Sequence, residues 1–172
     1  KANSKYRGYF SDNIEALRRL LPPTVSSKDI YITLGSPWIP TDVIDAFVDH
    51  ILNLGKNNYS GTLHDEVTGS WEITKKGYCH AISNVLATTA YGTQRLKALN
   101  ILEDTLNMKT VAVYDEYQTS STTSKRVLNQ PETLHAIEKQ QKMIAEFKRW
   151  VWSDRKRKEL LEDIFDRKFG CI

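Results

Sequence analysis

The chain has 172 residues, of which 40% are hydrophobic and 26% are charged, and its formal net charge is +3. That length and apolar content suit one domain with a real core, which needs no disulfide or metal to hold it together. There is no apolar run of a membrane span's length and no signal-peptide pattern, and Cys79 and Cys171 are isolated, which argues against a disulfide scaffold. We therefore expect a cytoplasmic protein. The pI near 8.8 permits a nucleic acid as partner without requiring one.

Both ends of the chain look like points at which a longer sequence was cut. It begins at Lys1 without a methionine and stops at Ile172, just after an amphipathic run. We expect one accessory domain that is a fragment of a larger multidomain protein. Its predicted parts are an N-terminal helical arm over 1–21, an α+β core over 24–129 and C-terminal helices over 130–169.

Apolar residues at spacings of three and four predict two helices near the N-terminus. The first covers 4–21 and ends before Pro22. The second starts at Pro40 or Thr41 and ends near Gly55, because proline favours the start of a helix and glycine its end.

The apolar period then changes from helical to two. Between Tyr59 and Thr74, Trp71 and Ile73 alternate with polar residues, which predicts a β-hairpin. Gly92 breaks the chain, and Thr93 is predicted to cap a helix with a leucine stripe. The stripe consists of Leu96, Leu99, Leu102 and Leu106.

The next segment is rich in β-branched residues. Residues 110–117 are predicted to form a strand, and 118–125, mostly serine and threonine, a flexible loop. Residues 126–128 can return as a hairpin partner. Asn129, with Glu132 three residues later, has the form of a capping box and starts a long helix.

That long helix is predicted to end near Trp152. Either Ser153 or Asp154 then caps a last helix, which runs to about Phe169. The order of elements is not a βαβ alternation. The sequence therefore predicts an α+β fold, mainly helical, with one or two small antiparallel β-hairpins.

The residues form no catalytic or metal-binding pattern. Cys79 and His80 are adjacent but lack further ligands at metal-site spacings. The chain has no glycine-rich phosphate loop and no nucleophile elbow. We expect no cofactor, no metal and no enzymatic activity in this chain itself.

The strongest functional candidate is the aromatic and basic run from Phe147 to Lys158. Basic side chains bind phosphates by charge, and exposed aromatic rings stack on bases. The alternative is that Phe147 and Val151 belong to the core and the basic residues face water. The candidate phosphate ligands are Lys148, Arg149, Arg155, Lys156, Arg157 and Lys158.

Two short sequence blocks each allow a functional and a structural interpretation. In the block from Leu34 to Pro40, two prolines restrict the backbone around Trp38, which either faces a partner or fills the core, and the core is favoured. The block from Tyr91 to Arg95 either offers backbone N–H groups and Arg95 to a phosphate or is a tight turn, with neither favoured.

A series of blocks carries a family resemblance from about Phe10 to Phe169. The blocks are Leu34 to Pro40; a hairpin ending near Trp71; Asn84, Ala87, Tyr91, Gly92, Thr93 and Arg95; Leu106-Asn107; Val111, Tyr114 and Asp115; Val127, Leu128, Asn129, Glu132 and Thr133; and Lys139, Gln140, Phe147, Trp150, Asp154 and Arg157. In order and spacing they resemble the middle segment of large helicase/DNA-methylase proteins of phages, plasmids and conjugative elements. In that family a DNA methylase-like region precedes the segment and a Snf-type superfamily-two helicase motor follows it. Arg155 stands where the family usually has proline.

This resemblance implies a non-catalytic, helicase-associated domain from a bacterial mobile genetic element. It would help to position duplex DNA without reading its sequence, with the six basic residues above as phosphate ligands and Arg95 as an outlier. Its other expected partners are the motor and methylase-like regions of the same polypeptide, which is expected to be an ATP-dependent helicase. The alternative is a purely structural connector that docks those two regions without contacting nucleic acid.

Overall fold

A computed structural model of the chain describes residues 13–17, 26–54, 61–74, 85–120 and 123–170. Its elements in chain order are α1 (Thr41–Leu52), β1 (Thr62–His64), β2 (Trp71–Ile73), a π-helical turn (Leu86–Ala90), α2 (Ala98–Leu106), β3 (Tyr114–Ser120), β4 (Thr123–Leu128), α3 (Gln130–Val151) and α4 (Arg155–Phe169). The two sheets are separate antiparallel pairs, β1 with β2 and β3 with β4. The predicted α+β class, mainly helical with small hairpins, is confirmed. Of the predicted helix over 4–21, residues 13–17 are helical, and the rest lies outside the described residues.

Helix α1 begins after Pro40, whose extended backbone leads into the first turn. Its apolar stripe, which includes Ile44 and Phe47, is buried as the spacing predicts. The helix ends when Asn53 adopts the left-handed conformation, with φ of 50°, and donates its N–H to the carbonyl of Asp49 at 2.7 Å. The end therefore comes before Gly55, which lies outside the described residues.

The first hairpin pairs β1 with β2, and Thr62 lies opposite Ile73. Trp71 and Ile73 are buried, whereas Glu72 between them is exposed, which confirms the period-two prediction. Asn107, just after α2, accepts a hydrogen bond from the N–H of Trp71 at 2.9 Å and donates to its carbonyl at 2.8 Å. These two bonds satisfy the backbone groups of Trp71 that face away from β1, and they attach the hairpin to the end of α2.

The predicted start of the leucine helix is wrong. Thr93 does accept a hydrogen bond from the N–H of Leu96 at 2.9 Å, which is the bond that a capping residue makes. Lys97, however, is extended, with ψ of 154°, so the turn ends there and α2 begins only at Ala98. Thr93 thus makes the predicted capping hydrogen bond, but this bond stabilises a separate turn that precedes α2.

The prediction of a flexible loop over 118–125 is also wrong for the described residues 118–120 and 123–125, and the predicted strand over 110–117 is displaced. β3 runs to Ser120, β4 starts at Thr123, and these two residues face each other in the pairing. Threonine suits a strand, and most side chains of this hairpin face water, so pairing here needs no apolar residues. The expected return of 126–128 as a partner strand is confirmed.

The two C-terminal helices have the predicted caps. The side chain of Asn129 accepts from the N–H of Glu132 at 3.1 Å, and that of Asp154, not Ser153, accepts from the N–H of Arg157 at 2.9 Å. The capping box is only half formed, because the N–H of Asn129 donates to the carbonyl of Val113 at 2.9 Å. The same bond joins α3 to the chain that precedes β3.

The Leu34 to Pro40 block belongs to the core. Trp38 is buried and meets Phe165 of α4 edge to face, with ring centroids 5.4 Å apart. Gly35 has φ of 96°, and a Cβ atom there would overlap the carbonyl of Leu106. The carbonyl of Gly35 also accepts from Trp71 Nε1 at 3.3 Å. The interpretation of Trp38 as a core residue is therefore confirmed.

We expect Gly35→Ala to destabilise the protein far more than Gly69→Ala. Both glycines have positive φ, so each alanine has the left-handed backbone cost of about 1–2 kcal/mol. Only Gly35 adds a steric overlap, typically about 1–3 kcal/mol in a packed site, because nothing lies within contact of a Cβ at Gly69. Urea unfolding of both variants measures the difference, and equal midpoints would contradict the close approach.

Candidate nucleic-acid interface

The positive charge of the chain is concentrated where α3 meets α4. Residues 148–158, here named the basic corner, hold six basic side chains and one acidic side chain, which is a formal charge of +5. The whole chain carries +3, so the remaining residues together carry −2. The electrostatic attraction for a polyanion is therefore local to this corner.

The corner is a tight turn between two long helices. After Val151, the backbone N–H and the hydroxyl of Ser153 both donate to the carbonyl of Trp150, at 3.1 and 2.7 Å. Asp154 then caps α4, which starts at Arg155. Hydrogen bonds thus fix the path of the chain on both sides of the turn.

Arg157 stabilises this turn through hydrogen bonds and a contact with an aromatic ring. Its guanidinium lies 3.5 Å from the ring centroid of Trp150 and donates to the carbonyls of Trp150 at 2.7 Å and Val151 at 3.0 Å. Those carbonyls are at the negative end of α3, where a cation is favourable. Burial lowers the pKa of Arg157, but arginine stays charged at neutral pH. The described contacts of Arg157 are therefore within the fold, and its expected role as a phosphate ligand stays a prediction.

The ring of Trp150 is also packed against α1. His50 stacks on it at 5.6 Å between centroids, and Phe47 lies at 5.3 Å. His50 Nε2 donates to the Glu146 carboxylate at 3.1 Å, and Arg149 also pairs with this carboxylate. The hydrogen bond from His50, helped by the charge of Arg149, lowers the pKa of Glu146.

His50 and Glu146 were not among the site residues predicted from the sequence. His50 follows Phe47 by three residues, so the two share one face of α1, and this spacing is the signal that was available.

The other cations of the corner are accessible. The side chain of Arg155 is 90% exposed and pairs with Glu159 one turn along the same helix, at 2.7 Å. Arg149 is similarly exposed, and Lys158 is partly exposed, 3.9 Å from Glu162. Lys156 is exposed and has no hydrogen-bond or ion-pair partner within the described part of the chain. Exposed pairs of this kind are weak, so a phosphate can compete for them.

Lys148, another exposed cation of the corner, lies near an aromatic ring. Its Nζ lies 6.0 Å from the ring centroid of Tyr31, a side chain in the segment before α1. Lys148 is exposed on the last turn of α3. It therefore links the basic corner to the surface that contains Tyr31.

Arg95 is not part of this corner. It pairs with the carboxylate of Asp115 and donates to the carbonyl of Tyr114 at 2.9 Å, and Asn129 donates to the same carboxylate at 2.8 Å. These contacts lower the pKa of Asp115 and raise that of Arg95. Asn129 caps the start of α3, whose 22 residues span about 33 Å, so Arg95 and the basic corner lie at opposite ends of that helix.

The rest of the block from Tyr91 to Arg95 is a tight turn. A Cβ atom at Gly92 would overlap the carbonyl of Ala87. The N–H of Thr93 donates to the carbonyl of Leu96 at 2.7 Å. The block therefore joins the π-helical turn, α2 and the second hairpin, which supports the structural interpretation over the phosphate one.

Neither a metal-binding cluster nor a membrane-spanning helix is found among the described residues. No group of three histidine, cysteine, aspartate or glutamate side chains there is placed to hold a metal ion. Cys79 and His80 lie outside those residues. Of the described helices, none combines the length and apolar character needed to cross a membrane.

Comparison with known proteins gives one match. A family model described as a domain of unknown function (DUF8437) matches residues 33–171, which include all of the elements from α1 to α4. No curated protein and no solved structure matches the chain.

We expect Arg157→Gln to destabilise the protein and Arg155→Gln to leave its stability almost unchanged. The first change removes the side-chain donor of the Val151 carbonyl and one of several donors to the Trp150 carbonyl, both of them partly buried, which costs about 1–3 kcal/mol. The second removes only an exposed pair within one helix. Thermal unfolding of the two variants, which lose the same charge, measures the difference. If both behave alike, Arg157 has no structural role at the corner.

We expect Glu146→Gln to reduce the dependence of stability on acid. Because its pKa is lowered in the folded protein, Glu146 contributes stability above its ordinary value of about 4.3, and this is lost as the pH falls through the folded-state value. The wild type should therefore lose more stability than the variant between about pH 6 and pH 3, as measured by urea unfolding. His50→Asn, which removes the main partner, should reduce the dependence too. Parallel curves for Glu146→Gln and wild type would contradict this coupling.

Proposed function

Because the chain belongs to the DUF8437 family, whose function is unknown, we propose a function for it: a non-catalytic domain that helps to position duplex DNA through the basic corner, in association with the helicase motor that the resemblance of its sequence blocks implies. The proposal rests on one observation. The net positive charge of the whole chain is accounted for by residues 148–158, and most cations there are accessible at a turn between two helices. Such a patch suits the phosphate backbone of a nucleic acid.

Five side chains would contact phosphates, and Arg157 would position them. The five are Lys148, Arg149, Arg155, Lys156 and Lys158. Their acidic neighbours, Glu146, Glu159 and Glu162, each pair with one of them from the same helix, so a phosphate would replace a carboxylate without moving the backbone. Contacts of this kind set the position of a duplex but do not read its sequence. Neutralising all five phosphates predicts a log–log salt slope of about −4 to −5.

The alternative is a connector that docks the methylase-like and motor regions without touching nucleic acid. Apolar side chains exposed on several elements favour it, because a partner domain would cover them. They include Leu63, Val67, Val85, Leu134 and Leu160. Single exposed apolar residues are also common on ordinary surfaces, so we place the DNA proposal first.

The test compares two variants of the whole chain that lose the same charge from the same helix. Arg155→Gln/Lys156→Gln removes two cations from the first turn of α4, and Arg167→Gln/Lys168→Gln removes two from its last turn. Binding to a fluorescent duplex of about 20 base pairs is measured by anisotropy from about 50 to 200 mM salt. We expect the corner variant to bind roughly tenfold more weakly at low salt, with a slope smaller by about 2, and the control to stay close to wild type.

Two outcomes would overturn the proposal. If the wild type fails to bind duplex at low salt, the connector becomes the better proposal. If both variants weaken binding equally, the attraction is a property of total charge and the corner is not a site.

A further inference from the structure

A groove lies beside the basic corner and shares a side chain with it. It has a volume of about 330 Å³ and runs between the segment before α1, the end of α2 and the middle of α3. Its lining includes Tyr31, Met108, Lys109, Gln140 and Lys148. This volume is within the range of about 300–1,000 Å³ found for small-ligand clefts. Because Lys148 lines the groove, whatever occupies it would lie next to the phosphate contacts proposed above.

Two large side chains that line the groove are mostly exposed to solvent. The side chain of Tyr31 is 79% exposed, and that of Met108 is 72% exposed. The Nζ of Lys148 lies 6.0 Å from the Tyr31 ring centroid. An exposed tyrosine beside a lysine is the combination that stacks a base and holds its phosphate.

Gln140 supplies an acceptor to the same groove. It is a buried polar residue, and its Nε2 donates to the carbonyl of Lys109 at 2.8 Å and to Thr105 Oγ1 at 3.2 Å. The Thr105 hydroxyl donates to the carbonyl of Ile101 at 2.6 Å, so both partners of Gln140 require a donor and the orientation of its amide is fixed. Its Oε1 has no hydrogen-bond donor among the described residues.

The charge of the groove selects the class of ligand. Lys109 and Lys148 are cationic, and no acidic side chain is among the described residues that line it. An apolar peptide would use Tyr31 and Met108 but not the two lysines or the open acceptor of Gln140. A nucleotide of adenine, cytosine or guanine would use all of them, because it has a flat aromatic base, an exocyclic amino group and an anionic phosphate.

We propose that this groove receives an unpaired base from a nucleic acid whose backbone lies on the basic corner. The base stacks on Tyr31, an exocyclic amino group donates to Gln140 Oε1, and the adjoining phosphates lie against Lys148 and Lys109. This inference rests on the proposed function and makes it more specific: the domain would favour DNA with a single-stranded segment over a fully paired duplex.

The experiment measures binding of the whole chain to a single-stranded oligonucleotide and to the matching duplex, for wild type, Tyr31→Ala and Tyr31→Phe. Tyr117→Ala is the matched control, because Tyr117 is also an exposed tyrosine but lies on the second hairpin. We expect Tyr31→Ala to weaken single-strand binding about 5- to 160-fold, which is the range for loss of one stacked base. Tyr31→Phe and Tyr117→Ala should bind like wild type, and duplex binding should change little in any of them. Unchanged unfolding midpoints would exclude a folding defect.

The outcomes separate this inference from the proposed function. If duplex binding needs the corner cations but Tyr31→Ala binds single strands normally, the groove proposal is overturned and the DNA function stands. If single strands bind through Tyr31 while duplex does not bind, the groove proposal holds and the function must be restated for single strands. Equal losses in Tyr31→Ala and Tyr117→Ala would overturn the groove proposal, and no binding of either nucleic acid would overturn both.

Discussion

Arg157 holds the end of α3 and the start of α4 together, and the arrangement of the C-terminal helices depends on it. Its guanidinium satisfies carbonyls at the end of α3 while it lies on Trp150, which itself packs against α1. A charged group placed there is stabilised by the helix dipole and the aromatic ring together. Arg157 is thus partly withdrawn into the fold, whereas Arg149, Arg155 and Lys156 of the same basic run are exposed.

Local signals in the sequence were sufficient for most of the helices. The caps of Asn129 and Asp154 each act on an N–H three residues away, so their effect is visible without knowledge of the fold. The errors came where a local pattern had more than one continuation. Thr93 makes the bond of a cap, but the extended Lys97 stops the turn. Gln118 pairs with Ser124 and Ser120 with Thr123 across a hairpin, and strand pairing depends on a partner that is not adjacent in sequence.

The candidate site was predictable in its charge but not in its contacts. A run such as residues 148–158 identifies a basic surface directly, because charge is a property of the residues themselves. Which cations are free depends on tertiary neighbours, as with Arg95, whose partner Asp115 is 20 residues away. Tyr31 and Gln140 come from distant segments and meet at one groove only after folding, so no spacing rule connects them.

The second hairpin differs from the rest of the protein in how it is attached. β3 and β4 bond to each other, while contacts at their base are mainly polar, through Arg95, Asp115 and Asn129, and their larger apolar side chains are exposed. With little apolar burial to the core, this hairpin is a cooperative unit of its own, and the free energy for opening it is smaller than that of global unfolding. Opening would free Asp115 from both partners, so the integrity of the hairpin is thermodynamically coupled to the first turn of α3.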